Sequence, residues 1–223
     1  MKFNNETLKA AVKQWLKDAS SAEATYGHIS DWDTSGVTDM SELFHYAERF
    51  NQPIGDWDVS NVTNMSEMFW MAHRFNKPLK KWNVSKVTKM ERMFREAFKF
   101  NQPIGNWNVC NVTDMEEMFS SQPGYDYEFM KFNQPIGEWD VSSVTNMKGM
   151  FDEIYKLDVD TKAAILKRII PSNTVKASTK VGRILQENNI ISVPLFESLK
   201  TTNPGFINWF ITLFLAVIAM MAS

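Results

Sequence analysis

The chain has 223 residues with 24 basic and 26 acidic side chains, a formal net charge of −2. This balance gives no support to a general electrostatic affinity for nucleic acid, and the single cysteine excludes an internal disulfide. The length suffices for one domain, or two small ones, with a substantial core. Eight Trp, sixteen Phe and fourteen Met supply bulky apolar side chains for it.

The amino-terminal segment "MKFNNETLKAAVKQWLKD" has the spacing of an amphipathic helix. It lacks the apolar central stretch and the small-residue cleavage site of a secretory signal. We therefore expect a helix over residues 1–25 and no export through a signal peptide.

A period of 25 residues follows this segment. Trp marks each of five copies, and one insertion of seven residues lengthens the fourth interval: Trp32, Trp57, Trp82, Trp107, Trp139. Val lies five residues after each Trp, Met eight and Phe twelve. A fixed period of this size is typical of a solenoid, in which each unit buries its apolar face only against its neighbours.

The second copy predicts a short strand followed by a short helix. "IGDWDVS" alternates apolar and polar residues around Trp57, as in a strand with one buried face. After the turn "SNV", apolar residues follow at the spacing of one helix face: Met65, Met68, Phe69, Ala72. Asn64 and Glu67 have the spacing of a capping box for this helix.

The phrase "FNQPIGxWDVSNVTNMxxMF" resembles the BspA-type, leucine-rich-like repeat of Mycoplasma surface lipoproteins, other bacterial surface proteins, protists and large DNA viruses. The resemblance covers about Tyr26 to Phe151. It implies a right-handed leucine-rich-repeat-like solenoid over 26–151, a helical cap formed by 1–25, and binding to other proteins without a conserved active site.

An insertion at 120–131 interrupts the repeats with the sequence "SSQPGYDYEFMK". Such a segment is either a tolerated surface loop or part of a binding face, since solenoids place insertions on one side. The candidate partner-binding residues within it are aromatic: Tyr125, Tyr127, Phe129.

Residues 152–203 lose the period and contain two predicted helical stretches, "VDTKAAILKRII" and "STKVGRILQENN". Their apolar faces could close the open end of the solenoid, which repeat proteins need for solubility. The alternative is a small helical arm that docks on a partner.

The last segment, 204–223, is apolar and is predicted to form a helix. Its stretch from Phe206 to Ala222 corresponds to roughly 25 Å of helix, close to the lower limit for a membrane span. Candidate membrane-interface residues cluster in its first turns: Phe206, Trp209, Phe210. We expect a tail-anchored protein with its repeats facing the cytosol, and the alternative is burial of this helix in a partner's groove.

Chemistry-bearing residues form no recognisable catalytic or metal-binding pattern. His28, His45 and His73 fall at different positions of the repeat, and Cys110 occupies a position held by Ser in other copies. No phosphate-binding glycine loop is present. We therefore predict no catalytic residue, no cofactor and no metal, and a protein that is not an enzyme.

The position after each Trp carries an acid or an amide and forms the predicted partner-binding row: Asp33, Asp58, Asn83, Asn108, Asp140. The competing interpretations are a solvated strand face and a calcium site, for which no ligand loop of known spacing exists. The expected function is a protein-interaction or scaffold protein tethered to a membrane. One setting is a minor capsid component of a large DNA virus with an internal membrane, and the alternative is a cell-surface adhesin or receptor.

Overall fold

Two helices precede the repeats, and one 3-10 helix lies at the start of the first copy. The computed structural model describes residues 1–121 and 130–152 of the chain. Helix α1 spans Asn5–Lys17, α2 spans Ala19–Tyr26, and the 3-10 helix spans Ile29–Asp31. Within the described ranges these are all the helices, and β-pairing is limited to single parallel bridges.

The amino-terminal segment forms two helices where the sequence predicted one. The Asn4 side chain accepts a hydrogen bond from the Thr7 backbone N–H at 2.9 Å, and the Thr7 hydroxyl accepts one from the Asn4 N–H. Helix α1 ends at Asp18, whose carboxylate accepts a hydrogen bond from the Ser21 N–H and so begins α2. One polar residue therefore ends the first helix and caps the second.

The amino terminus packs against the first copy of the repeat. The Trp15 ring meets the Trp32 ring edge-on at 5.9 Å, and the Phe3 ring lies 5.0 Å from Trp32. The Phe3 N–H donates a hydrogen bond of 2.8 Å to the Asp33 carbonyl. The apolar face of α1 is buried at this contact: Leu8, Ala11, Val12, Trp15.

Asn5 supplies a hydrogen-bond acceptor that later copies obtain from the copy before them. The Thr63 N–H bonds to the Thr38 carbonyl, and the Thr88 N–H bonds to the Thr63 carbonyl, each at 2.8 Å. Thr38 is the first in this row, and its N–H bonds instead to Asn5 Oδ1 at 2.8 Å. The start of α1 thus satisfies the exposed end of the repeat array, which would otherwise leave unpaired backbone donors.

The apolar residues that define the period are buried in every copy. Trp, Val, Met and Phe at the repeated positions are all at most 4% exposed. Equivalent Phe rings stack from copy to copy, with centroid distances of 5.5 Å for Phe44–Phe69, 5.5 Å for Phe69–Phe94 and 5.7 Å for Phe94–Phe119. Each copy therefore buries its apolar side chains against the next one.

Backbone hydrogen bonds join consecutive copies along one side. The N–H groups of Met40, Glu42 and Phe44 donate to carbonyls of the next copy at 2.9 Å. The same bonds recur from the second copy to the third and from the third to the fourth. Parallel bridges lie at the start of this segment, for example between Asp39 and Asn64.

The short helix predicted in each copy is not formed in the described residues. The Met65 and Glu67 N–H groups donate to carbonyls of the next copy. They therefore do not form the i to i−4 hydrogen bonds of an α-helix. Glu67 and Met71 have φ of 58°, a left-handed conformation that interrupts a right-handed helix. The segment is instead a series of turns. The strand predicted around Trp57 is not formed either, and the bridges between copies lie at the start of the turn segment, as at Asn64.

Several sequence predictions fall outside the described residues. These are most of the insertion, 122–129, and the segment from 153 onward, including both helical stretches and the apolar segment 204–223. Among residues 1–121 and 130–152, no helix has both the length and the apolar character needed to cross a bilayer.

Candidate interaction surface

The predicted partner-binding row is exposed and closes the turns of its own copies. Each side chain accepts a hydrogen bond from the backbone N–H two residues later, at 3.0 to 3.3 Å: Asp33, Asp58, Asn83, Asn108, Asp140. Hydrogen bonds from Ser35 lower the pKa of the Asp33 carboxyl, and bonds from Ser60 do the same for Asp58. The row thus has a local structural role, and partner binding by it stays a prediction.

The other predicted site residues are not among those the structure describes. Tyr125, Tyr127 and Phe129 belong to the insertion, whereas Phe206, Trp209 and Phe210 belong to the apolar segment.

A second set of polar and aromatic side chains lies on the turn segments. We define the turn surface as the described residues 9 to 16 positions after each of the first four repeated Trp, namely 41–48, 66–73, 91–98 and 116–121. Here the copies differ most: the position directly after the invariant Phe is His45, Trp70, Arg95 and Ser120 in successive copies. Side chains that vary on a constant framework are where a repeat protein can specify a partner.

Three aromatic rings stack across the first two copies of the turn surface. The His45 ring lies 4.2 Å from Tyr46 and 4.6 Å from Trp70, with interplanar angles of 19° and 18°. Tyr46 is 59% exposed, and it is the exposed aromatic side chain among the described residues. The stack therefore presents a flat aromatic edge to solvent.

Two arginines extend this stack into the third copy. The guanidinium carbon of Arg95 lies 5.1 Å from the centroid of the Trp70 ring, and that of Arg92 lies 5.9 Å away. Both distances fall within the range for attraction between a cation and an aromatic face. Arg95 is only 8% exposed, so its guanidinium is held close against the surface.

Acidic residues from neighbouring copies fix the two guanidinium groups. Arg92 Nε donates to Glu117 Oε2 at 2.7 Å, and its terminal nitrogens lie 3.5 Å from Glu67 and 3.6 Å from Glu116. Arg95 also bonds to Glu117. The hydrogen bond to Glu117 raises the pKa of Arg92 further above its ordinary value.

Burial and the carboxylates clustered on the turn surface together shift the pKa of Glu91. Burial raises the pKa of the Glu91 carboxyl, and the nearby negative charges of Asp114, Glu67 and Glu116 add to this effect. Proton uptake by Glu91 is therefore easier than for a solvated glutamate.

Buried polar atoms without a hydrogen-bond partner concentrate on the turn surface. Within the described ranges, all five such side-chain atoms lie on it: His45 Nε2, Ser66 Oγ, Trp70 Nε1, His73 Nε2, Ser120 Oγ. The contrast with the repeated tryptophans is clear, since Trp57 Nε1 donates to the Ile29 carbonyl at 2.8 Å. Buried polar groups are normally satisfied, so these atoms set the turn surface apart from the rest of the described chain.

One group on the turn surface has the donor atoms of a metal site. Ligand atoms of Glu42, His45 and Glu67 lie within 4.8 Å of one another. Sequence reasoning missed this group, because Glu67 belongs to a different copy from Glu42 and His45. The only available signal for the surface was the change from His to Trp to Arg at one repeat position.

The comparisons with known proteins identify a family. The family model described as "Mycoplasma protein of unknown function, DUF285" matches residues 10–129 and 124–170. No curated protein and no solved structure was found to match the chain. The match agrees with the BspA-type resemblance at the level of a Mycoplasma repeat family. Because the two matched ranges together span well over half of the sequence, the chain belongs to the family described as Mycoplasma protein of unknown function, DUF285.

Proposed function

We propose that the chain is a non-enzymatic protein-interaction or scaffold protein that binds its partner through the turn surface. The observation that carries this proposal is the stack of Tyr46, His45 and Trp70, continued by the Arg95 guanidinium. Under this proposal the five copies form a capped solenoid, and the turn surface is the face on which they differ.

The composition of the turn surface supports binding to a protein. Tyr, Trp and Arg are the residue types enriched where interfaces derive most of their binding free energy. Trp70 and Tyr46 offer large rigid contact areas, and Glu117 holds Arg95 in place before any partner arrives. A surface that is already ordered loses less side-chain entropy on binding.

The polar residues shared by the copies support a structural rather than a catalytic role for the repeat itself. The Thr63 hydroxyl donates to the Thr38 carbonyl at 3.2 Å, and the Asn76 N–H donates to Asn51 Oδ1 at 3.0 Å. Equivalent bonds recur in later copies. These side chains join one copy to the next, which explains their repetition without invoking a reaction.

Co-purification of tagged full-length chain tests the proposed binding. Trp70→Ala should reduce recovery of a stoichiometric partner at least tenfold, which corresponds to about 1.4 kcal/mol. Asp58→Ala, in the row of turn-closing residues, should leave recovery unchanged. Equal recovery with both variants, at equal thermal stability, would contradict the assignment of the turn surface.

We also propose that the apolar segment 204–223 attaches the protein to a bilayer, because its length and its early aromatic residues fit a short span. Attachment of this kind fits a scaffold in a large assembly beside a membrane, such as a minor capsid component of a large DNA virus with an internal lipid layer. Carbonate extraction of the full chain and of a version ending at Asn203 tests attachment. Release of both forms into the soluble fraction would contradict the proposed attachment to a bilayer.

A cell-surface adhesin or receptor is the second candidate function, and the match to a Mycoplasma family favours it. In that setting the turn surface would bind a molecule outside the cell. Labelling intact cells with a membrane-impermeant amine reagent distinguishes the two settings. Modification of the repeat lysines supports the adhesin, whereas protection until lysis supports the intracellular scaffold.

A further inference from the structure

Two consecutive copies bring three metal-ligating side chains together on the turn surface. His45 Nδ1 lies 3.7 Å from Glu67 Oε2 and 4.0 Å from Glu42 Oε2. These separations are longer than hydrogen bonds. The imidazole and the two carboxylates face one another without bonding directly.

The fold holds the two acidic residues in position. Glu42 and Glu67 have left-handed φ values of 59° and 58° at equivalent turns of their copies. The Glu42 N–H donates to the Ser66 carbonyl, and the Glu67 N–H donates to the Glu91 carbonyl, both at 2.9 Å. The backbones that carry the acids are therefore fixed relative to each other.

Arg92 orients one of the carboxylates. Its Nη1 lies 3.5 Å from Glu67 Oε1, whereas the other oxygen, Oε2, is the one nearest His45. Groups that bind the second oxygen of a ligating carboxylate commonly orient it toward the metal. Arg92 thus leaves Glu67 Oε2 available to a cation.

A buried serine beside the carboxylates gives an independent sign of a ligand. Ser66 is 8% exposed, and its Oγ has no hydrogen-bond partner. Ser66 lines a cleft of about 210 Å³ together with Glu42 and Glu67. A buried hydroxyl is normally satisfied, and a ligand or metal-bound water in this cleft would satisfy it.

We propose that Glu42, His45 and Glu67 bind a divalent transition-metal cation of the zinc class, with water as the further ligand and Ser66 as its hydrogen-bond partner. One imidazole nitrogen and two carboxylate oxygens form a donor set that zinc accepts, with an open position for water. Tetrahedral ligands about 2.1 Å from zinc are roughly 3.4 Å apart. The ligand atoms lie within 4.8 Å of one another, and the Glu42 side chain, which is 66% exposed, is free to move closer to the other two.

Bound metal would also act on the aromatic stack. Coordination through Nδ1 fixes the orientation of the His45 ring, which contacts both Tyr46 and Trp70. The metal inference does not depend on the proposed protein binding, since the three ligands and the cleft stand by themselves.

Lysines at the border of the group supply the opposing explanation. Lys89 lines the cleft with Glu42 and Glu67, and Lys9 and Lys13 of α1 line the neighbouring cleft with Glu42 and His45. If these ammonium groups neutralise the acids, the site has no affinity for a cation.

Zinc titration of the metal-free full-length chain, in competition with a chromophoric chelator, tests the proposal. His45→Phe keeps an aromatic ring in contact with Tyr46 and Trp70 but removes the nitrogen ligand, and Glu67→Gln removes one charged ligand. His73→Phe is the matched control, because His73 is a turn-surface histidine stacked on Phe98 at 4.8 Å. Far-UV circular dichroism and thermal melts establish that each variant is folded.

The expected result is one zinc ion per chain, at least tenfold weaker binding for His45→Phe and Glu67→Gln, and unchanged binding for His73→Phe. With cobalt in place of zinc, the wild type should show visible absorption bands that His45→Phe lacks. Absence of stoichiometric binding by the wild type would overturn the proposal, as would an equal loss with His73→Phe. Selective binding of calcium in place of zinc would overturn the assignment to the zinc class.

Discussion

The indole N–H of Trp57 donates a hydrogen bond of 2.8 Å to the carbonyl of Ile29 in the preceding copy. The same bond recurs from Trp82 to Ile54, from Trp107 to Leu79 and from Trp139 to Ile104, at 3.1 to 3.2 Å. Each repeated Trp after the first therefore fills the core with its ring and joins two copies with its N–H, whereas the Trp32 N–H donates to the nearby Gly27 carbonyl at 3.0 Å. Both functions explain why this residue type occurs at the same position in every copy.

Substitutions of Trp107 should separate these two contributions. Trp107→Ala removes the ring, and we expect a loss of about 3–5 kcal/mol in the free energy of unfolding. Trp107→Phe keeps most of the ring and removes only the indole N–H bond to the Leu79 carbonyl, which still accepts from the Trp82 N–H at 3.1 Å. We expect this variant to lose less, about 0.5–1.5 kcal/mol. Urea unfolding followed by circular dichroism measures both, and an unchanged midpoint for either variant would contradict this role.

A side chain at position 105 should destabilise the fold, because the backbones of consecutive copies approach closely at Gly105. A Cβ on Gly105 would lie 2.2 Å from the Pro135 carbonyl oxygen, a backbone atom that cannot move away alone. We expect Gly105→Ala to destabilise the fold by about 1–3 kcal/mol. Lys80 occupies the same repeat position and already carries a side chain, so Lys80→Ala is the matched control. Equal thermal stability of the two variants would refute the argument from close approach.

Asn5 should contribute to stability through its side-chain oxygen. Asn5→Ala leaves the Thr38 N–H without the acceptor that Asn5 Oδ1 provides at 2.8 Å. We expect a loss of about 1 kcal/mol. Asn5→Asp keeps an acceptor oxygen and should retain most of this stability. If the Asn5→Asp variant melts at the same temperature as the Asn5→Ala variant, the proposed capping role of Asn5 is wrong.

Asp58 should make part of the stability dependent on pH. Hydrogen bonds from Ser60 lower the pKa of its carboxyl below the ordinary value of 3.8. The folded chain therefore binds this proton more weakly than the unfolded chain does. The resulting stabilisation is fully present well above pH 3.8 and is lost as the pH falls through the lower folded-state pKa.

Asp58→Asn tests this dependence, because it reproduces the residue type found at Asn83 and Asn108. The amide still accepts the turn hydrogen bond but does not titrate. Urea unfolding between about pH 6 and pH 2 should show a smaller loss of stability in acid for the variant than for the wild type. Identical slopes against pH would mean that the Asp58 hydrogen bonds do not favour its ionised form.

The repeat frame was predictable from the sequence, whereas the backbone of the turn segments was not. Met65, Met68, Phe69 and Ala72 are all buried, and their i, i+3, i+4 and i+7 spacing is that of a helix face. Successive turns closed by i to i+3 bonds, such as Met68 N–H to the Met65 carbonyl, satisfy the same spacing. The turn segment differs from a helix in the left-handed φ of Glu67 and in its hydrogen bonds to the next copy. The spacing of apolar residues predicts neither feature.

The candidate sites, too, were only partly predictable from the sequence. The acid or amide after each Trp was easy to find because it recurs at a fixed spacing, but its hydrogen bond to its own turn gives it a local role. His45 and Trp70 stand out only as departures from the repeat. Their stacking, and the approach of Glu67 to His45, depend on the exact register between two copies.

Site-specific photo-cross-linking of the full-length chain in its cells of origin tests the central claim most directly. A photoreactive phenylalanine analogue replaces Tyr46 on the turn surface in one variant and Asp58 in the turn-closing row in another. We expect one discrete protein adduct from position 46, lost on adding Trp70→Ala, and no such adduct from position 58. A specific adduct from position 58 with none from position 46 would contradict the assignment of partner binding to the turn surface.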